Sequence, residues 1–233
     1  LARGKLVLRS HWRPFVVRWD MIRRVMNVGY PAALEHLLVQ LGFFVYVYFV
    51  AHHGTAPVAA YFIGVRILAL SFLPGFGFAA AAGTMVGQSL GAGRPLEAER
   101  SGWAALELAF YMMSAAGVVI YLAARPIARL FVDDPAVVES AVGFIHVLAL
   151  AQPLMALDFT LGGALRGAGD TRFPLLTALL GIYACRLAVA YLATFVLDAS
   201  LVWLWTAIIV DYVARSGAKA WRFRSGRWKH IRV

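Results

Sequence analysis

Five polar or charged residues sit where water is not expected. Glu35, Gln40, Arg66, Asp158 and Arg186 each interrupt a long apolar stretch of this 233-residue chain. A charge at hydrocarbon depth costs roughly 2.5–3.5 kcal/mol on insertion scales, so it turns to a bundle interior or a wet cavity. An acid so placed can hold a proton or a small cation and release it when another ligand arrives, which is the chemistry of a cation-coupled exchanger. A second reading stands beside it: Glu35 and Asp158 are internal counter-ions, with Arg66 and Arg186 on neighbouring stretches as available partners. Gln40, Gln152, His36 and His146 are polar groups at similar depth that touch a substrate or satisfy a neighbour. Catalysis has little to draw on. No His-Glu-x-x-His, Gly-x-Ser-x-Gly or paired-Asp pattern is present, and the adjacent His52 and His53 lack further ligands for a metal. The expectation is no enzyme, no metal and no cofactor.

The elements that position these residues are read from the apolar blocks. The chain is 61% hydrophobic and 15% charged, against about a quarter charged in ordinary soluble domains. Six blocks approach or exceed the ~20 helical residues that cross a hydrocarbon core: 25–51, 58–90, 102–124, 136–165, 174–197 and 201–214, the last continuing towards Ala220. Glycine, proline and acidic residues separate them, as in Asp133-Asp134-Pro135. Backbone groups in lipid must bond within their own segment, so the blocks are helices; alternating barrel strands of ~10 residues are not seen. The fold class expected is all-α: a polytopic transmembrane bundle of six spans. Pro31 and Pro74-Gly75 lie inside spans and kink them, as hinges or as static bends. Gly75, Gly77 and Gly83 make a smooth face for close helix approach. Phe43, Phe44, Tyr46, Tyr48 and Phe49 line a cavity, pack, or face lipid.

The formal net charge of +10 raises nucleic acid as a partner, but its distribution excludes a phosphate groove. Segment 1–24 carries seven Lys and Arg, and the tail after Ala214 carries seven more. Arg94, Arg100, Arg166 and Arg172 fall on the same side of a six-span chain, while Arg125 and Arg129 are alone on the other. By the positive-inside rule both termini are cytoplasmic. The domains expected are a basic cytoplasmic linker (1–24), a six-helix lobe (25–220) and a basic cytoplasmic tail (221–233). Trp12, Trp19, Trp221 and Trp228 read as interface anchors, and Glu107, Asp198 and Asp211 as near-interface acids. The single Cys185 forms no internal disulfide.

Two loop signatures go further. The second block ends Val86-Gly87-Gln88-Ser89-Leu90-Gly91-Ala92-Gly93-Arg94, after an internal Pro74-Gly75. The fourth ends Ala164-Leu165-Arg166-Gly167-Ala168-Gly169-Asp170-Thr171-Arg172. Together, in this order and spacing, they resemble the MATE (multidrug and toxic compound extrusion) transporters. The motif positions carried over are Gly87, Gln88, Gly91, Gly93, Arg166, Gly167, Gly169 and Asp170.

The resemblance implies a fold of two six-helix lobes, of which this chain is similar to the C-terminal one. Segment 1–24 then resembles the inter-lobe linker, and the chain a fragment or half of a longer protein. It implies a multi-pass protein of a prokaryotic plasma membrane that exports amphipathic or cationic compounds by alternating access, coupled to H⁺ or Na⁺. Its partners would be small molecules, the lipid bilayer and a missing N-terminal lobe in cis or a second chain. The alternative is a related flippase for a lipid or lipid-linked oligosaccharide. Acids occur on the corresponding helices in some family members, but about a turn away from Glu35 and Asp158. The substrate or cation-binding residues expected are Glu35, Asp158, Arg66, Gln40 and Arg186.

Overall fold

A computed structural model describes residues 19–231. The side chains of Arg24, Val25, Asn27, Val28, Pro31, Ala32 and His230 lie outside that description, as do residues 1–18, which include Trp12 and most of the expected linker. Most of the described residues are helical, and none of them is in a strand. The long helices are α1 (Trp19–His52), α2 (Thr55–Gly91), α3 (Pro95–Leu122), α5 (Pro135–Gly167), α6 (Arg172–Val196) and α7 (Leu201–Arg224); a short α4 (Ala124–Arg129) turns the chain between α3 and α5. Each long helix contains a window long and apolar enough to span a membrane. The chain is a multi-pass membrane protein, and the six expected spans correspond to these six helices.

The ends differ from expectation for local reasons. Helix α3 starts at Pro95 and not near residue 102, because Pro95 suits the first turn and Glu97 complements its dipole. Helix α5 is capped by Asp134, whose Oδ1 accepts from the Ala136 amide at 2.8 Å. Helix α2, with 37 residues, is ~55 Å long and overshoots a ~30 Å hydrocarbon layer. Helix α7 runs on to Arg224 although it carries Asp211, Arg215 and Lys219, because those charges are buried against the bundle.

Helix α5 is the central post, packed on α2, α3 and α7. Its crossing with α2 is set by small residues. A Cβ at Gly163 would collide with the Ala79 backbone and one at Gly167 with the Gly83 backbone. In the other direction, Cβ atoms at Gly83 and Gly87 would lie 2.9 Å from the Gly163 and Gly167 carbonyl oxygens. Spacings of four put these residues on one helix face, and the absence of side chains lets the two backbones touch, as lipid-embedded helices require for packing. Two motif glycines, Gly87 and Gly167, are therefore accounted for by this crossing. Pro74 lies inside α2, and Gly75 beside it faces the Phe159 ring. A further internal proline, Pro153 in α5, was missed from the sequence. It leaves the Ala149 carbonyl without its helical donor, and that carbonyl abuts Gly117 of α3.

Helix α6 changes winding along its length: Leu180–Leu187 and Leu192–Val196 are π-helical. The first of these wider turns carries Arg186. Two interface expectations fail. Trp228 is fully buried: it stacks on Phe223 with centroids 4.7 Å apart and donates through Nε1 to the Phe223 carbonyl at 2.7 Å. Asp211 is not near an interface but fully buried. Trp19 and Trp221 are exposed.

Candidate functional site

Helix α1 packs on α6 and more lightly on α2, which leaves a cleft facing α5 and α7. Glu35, Gln40 and Phe43 enter from α1, Phe72 and Phe76 from α2, Asp158 and Arg166 from α5, Arg186 from α6, and Tyr212, Arg215 and Lys219 from α7. Its volume is ≈ 420 Å³, within the range of small-molecule sites. A second compartment of ≈ 280 Å³ opens between α1 and α2, lined by Phe44, Tyr61, Phe62 and Leu68 among others. The two share Gln40, Phe43 and Phe72, so they are contiguous.

The floor of the larger cleft is a charge network. Asp158 accepts from Lys219 Nζ at 2.6 Å and from Arg215 Nη2 at 2.9 Å. Asp211 lies behind, 2.5 Å from Arg186 Nη2 and 3.8 Å from Arg215 Nη1. The Asp211 carboxylate is a charge contact more than a hydrogen-bond acceptor, since neither oxygen has a well-aligned donor among the described residues. Tyr212 lies beneath both guanidinium groups, which sit 5.5 and 5.7 Å from its ring centroid, and Arg186 also covers Phe43 at 5.5 Å. Such charges are tolerable at depth because each is paired.

Two local devices make the network possible. Asp211, Arg215 and Lys219 follow one another at intervals of four, so α7 presents them in one row. Gly181 lies in the π-helical turn, where a Cβ would run into the Asp211 carboxylate and the Arg215 stem. The wider turn and the missing side chain bring α6 against the charged face of α7. Wider turns of this kind recur at functional sites.

Glu35 is held differently. Its carboxylate meets Arg166 Nη1 at 3.4 Å and 3.5 Å, long for a charge-assisted bond, and the arginine side chain is 33% exposed. It is the loosest acid of the cleft. The counter-ions suggested by the sequence are thus replaced. Glu35 pairs with Arg166, and Asp158 with Arg215 and Lys219. Arg186 serves Asp211, and Arg66 is exposed on α2 away from both clefts, because helix rotation turns its side chain outward.

Of the other expected residues, Gln40 lines both compartments. Phe43 and Phe44 line cleft walls, Tyr46 and Phe49 are core, and Tyr48 is exposed. His146 stacks on Tyr121 with centroids 4.2 Å apart, and the buried Gln152 Nε2 has no acceptor among the described residues. Asp170 accepts from Arg222 Nε at 2.8 Å, which ties the α5–α6 loop to the end of α7. Gly93 and Gly169 take positive φ of 74° and 86°, a turn conformation that side chains disfavour. No group of three metal-ligating side chains occurs among the described residues. Sequence reasoning missed Arg215, Lys219 and Asp211 as site residues, although their four-residue spacing was visible. It also missed Gly181, which had no sequence signal.

A bundle of six membrane-spanning helices with a charged internal cleft defines a transporter-type lobe. The MatE family model matches residues 31–192, and the chain belongs to that family, whose members are transporters and not enzymes. It is 32% identical over 215 residues to a probable multidrug resistance protein NorM of Thermotoga maritima, covering 91% of this chain and 46% of that protein. A NorM of Deinococcus radiodurans is 31% identical, over 89% of this chain and 48% of its own length. The chain spans about half the length of the curated relatives it matches. Among solved structures, the MATE transporter ClbM in complex with Rb⁺ superposes with a TM-score of 0.83 at 25% identity, covering 91% of this chain and 50% of that one. A MOP-superfamily transporter from Pyrococcus furiosus superposes with a TM-score of 0.85 at 21% identity, over 93% and 49%.

Proposed function

We propose that the chain is the C-terminal lobe of an efflux antiporter that exports amphipathic compounds, with the cleft between α1, α5 and α7 as this lobe's share of the transport cavity. The observation that carries the reading is that cleft: deep, charged and aromatic, in a family whose relatives are named for multidrug resistance. A second lobe, in cis or as a second chain, closes the cavity, and rocking of the lobes exposes it alternately to the two sides. The Lys and Arg asymmetry supports cytoplasmic termini in the plasma membrane, with segment 1–24, whose last six residues open α1, as the inter-lobe linker.

Coupling to H⁺ or Na⁺ falls to Glu35. It borders the cleft with a loosely held carboxylate, whereas Asp158 is clamped by two cations and anchors them. That the relative ClbM was solved with Rb⁺ supports a cation site in the family. The test is dye accumulation in cells stripped of their own pumps and expressing the full-length gene, with a panel of amphipathic dyes. Lower accumulation is expected, reversed when the proton or sodium gradient is collapsed. Unchanged efflux in Glu35→Gln removes the coupling assignment, and unchanged accumulation on expression removes efflux itself. Transport of lipid-linked sugars without dye export would instead favour a flippase.

A further inference from the structure

The polarity of the cleft is opposite to what a receptor for cationic drugs needs. Arg166, Arg186, Arg215 and Lys219 face two lining carboxylates, Glu35 and Asp158. Counting Asp211 behind them, the described residues of the site hold one more cation than anions. The carboxylates are also committed. Asp158 is occupied at 2.6 and 2.9 Å, so a cationic ligand reaching it must displace Lys219 or Arg215 and leave that cation buried without a partner, which is strongly unfavourable. The cations keep spare capacity: Nε of Arg186 and Nε of Arg215 are buried with no acceptor among the described residues, and Arg166 is partly open to the cleft at long range from Glu35. Guanidinium groups bind carboxylate and phosphate-type oxyanions through paired N–H donors, with little loss on desolvation.

The second compartment supplies the other half of a ligand. It continues the basic cleft through Gln40, Phe43 and Phe72 and is walled by aromatic and aliphatic side chains. Within it the Tyr61 hydroxyl is buried with no hydrogen-bond partner among the described residues. The site is thus amphipathic along its length, basic at one end and aromatic at the other.

We propose that the substrates of this lobe are amphipathic anions, with a carboxylate, sulfonate or phosphate against Arg166, Arg186, Arg215 and Lys219 and an aromatic or apolar body between α1 and α2. This names the substrate class of the efflux reading above and rests on it. Glu35 competes with the ligand for Arg166, so an anion binds better once Glu35 is neutral. For an anionic substrate the exchanged cation is then carried by a group other than Glu35, and this substrate class replaces the Glu35 coupling assignment while resting on efflux itself.

The test uses the full-length protein in nanodiscs of zwitterionic lipid, so that the membrane itself does not sort the probes by charge. Two dansyl probes with identical rings and linkers are compared, one ending in a carboxylate and one in a trimethylammonium group. The carboxylate probe is expected to bind at least about tenfold more tightly, Arg166→Gln to weaken it by roughly tenfold, and Glu35→Gln to strengthen it, since a competing anion is removed. A structural effect would weaken both variants, so the opposite signs identify the site. Equal binding, or preference for the ammonium probe, overturns the anion assignment and leaves efflux standing. A carboxylate preference that neither variant changes also overturns it, because the ligand then sits elsewhere. Binding of neither probe, with no efflux of either, overturns the efflux reading and this inference together.

Discussion

Replacing Asp158 by Asn removes one charge and almost no volume from the centre of the bundle. Its carboxylate is 2.6 Å from Lys219 and 2.9 Å from Arg215, and at an effective dielectric near 20 each contact is worth ~6 kcal/mol before solvation. Desolvation of the buried ions offsets most of that gain, so the measurable quantity is the cost of leaving cations without their anion, about 3–5 kcal/mol. The remaining carboxylate, Asp211, already serves Arg186 and lies 3.8 Å from Arg215. It cannot also neutralise Lys219, so the upper end of the range is expected. Reversible unfolding in mixed detergent–SDS micelles, followed by far-ultraviolet circular dichroism, reads the loss directly. Adding Lys219→Met to Asp158→Asn removes the orphaned ammonium and should recover about 2 kcal/mol of it. Glu35→Gln, which breaks only the long contact to a partly exposed Arg166, should cost under about 1 kcal/mol. An Asp158→Asn protein within about 1 kcal/mol of the parent, or a double variant less stable than the single, would refute the network as an electrostatic unit.

Gly163→Ala places a methyl on the Ala79 backbone, which cannot yield as a side chain can, and should cost about 2 kcal/mol or more. Gly77→Ala meets nothing within 4 Å among the described residues and should be neutral or stabilising by up to about 1 kcal/mol in the same unfolding assay. Trp228→Ala deletes a fully buried ring and its hydrogen bond, for about 3–5 kcal/mol, while Trp221→Ala on the exposed face should leave detergent-solubilised stability nearly unchanged. His53, in the turn between α1 and α2, has its imidazole pKa held below the ordinary 6.5 by partial burial and by neighbouring His52, with Asp198 acting in the opposite direction. Because the unfolded chain binds the proton more readily, the contribution of His53 to stability is full above 6.5 and declines as pH falls from there through its folded value. Carbon-13 NMR of labelled histidine, assigned with His53→Asn, should show a midpoint below 6.5, and a midpoint above it would remove this account of the turn.

Membrane helices are legible in the sequence because the solvent imposes a length and a composition. Outside a closed barrel, a segment crossing hydrocarbon must be helical, long and apolar, and 25–51 through 174–197 announce themselves on that ground. The sixth span looked short for an instructive reason. Asp211, Arg215 and Lys219 depress its apolar character, and a linear scan treats them as the onset of a tail, whereas on a helix they form one inward row. Trp228 misled in the same way: its basic neighbours suggest an interface, but the chain folds back through Gly226, with φ of 69°, and buries it against Phe223.

By itself the sequence determined the class of structure, the number of spans and the two loop signatures that carry the family, since each depends on composition or on residues close along the chain. It also showed that Glu35 and Asp158 lie at depth. Only the tertiary structure decided whom they meet. Asp158 finds its partners 57 and 61 positions away, and Glu35 finds Arg166 at a separation of 131. Those pairings rest on the rotation of each helix about its axis, which the glycine crossing of α2 with α5 and the widened turn at Gly181 set. Helix rotation is fixed by packing between distant segments, and a charge buried in lipid has no stable state until that packing supplies its partner.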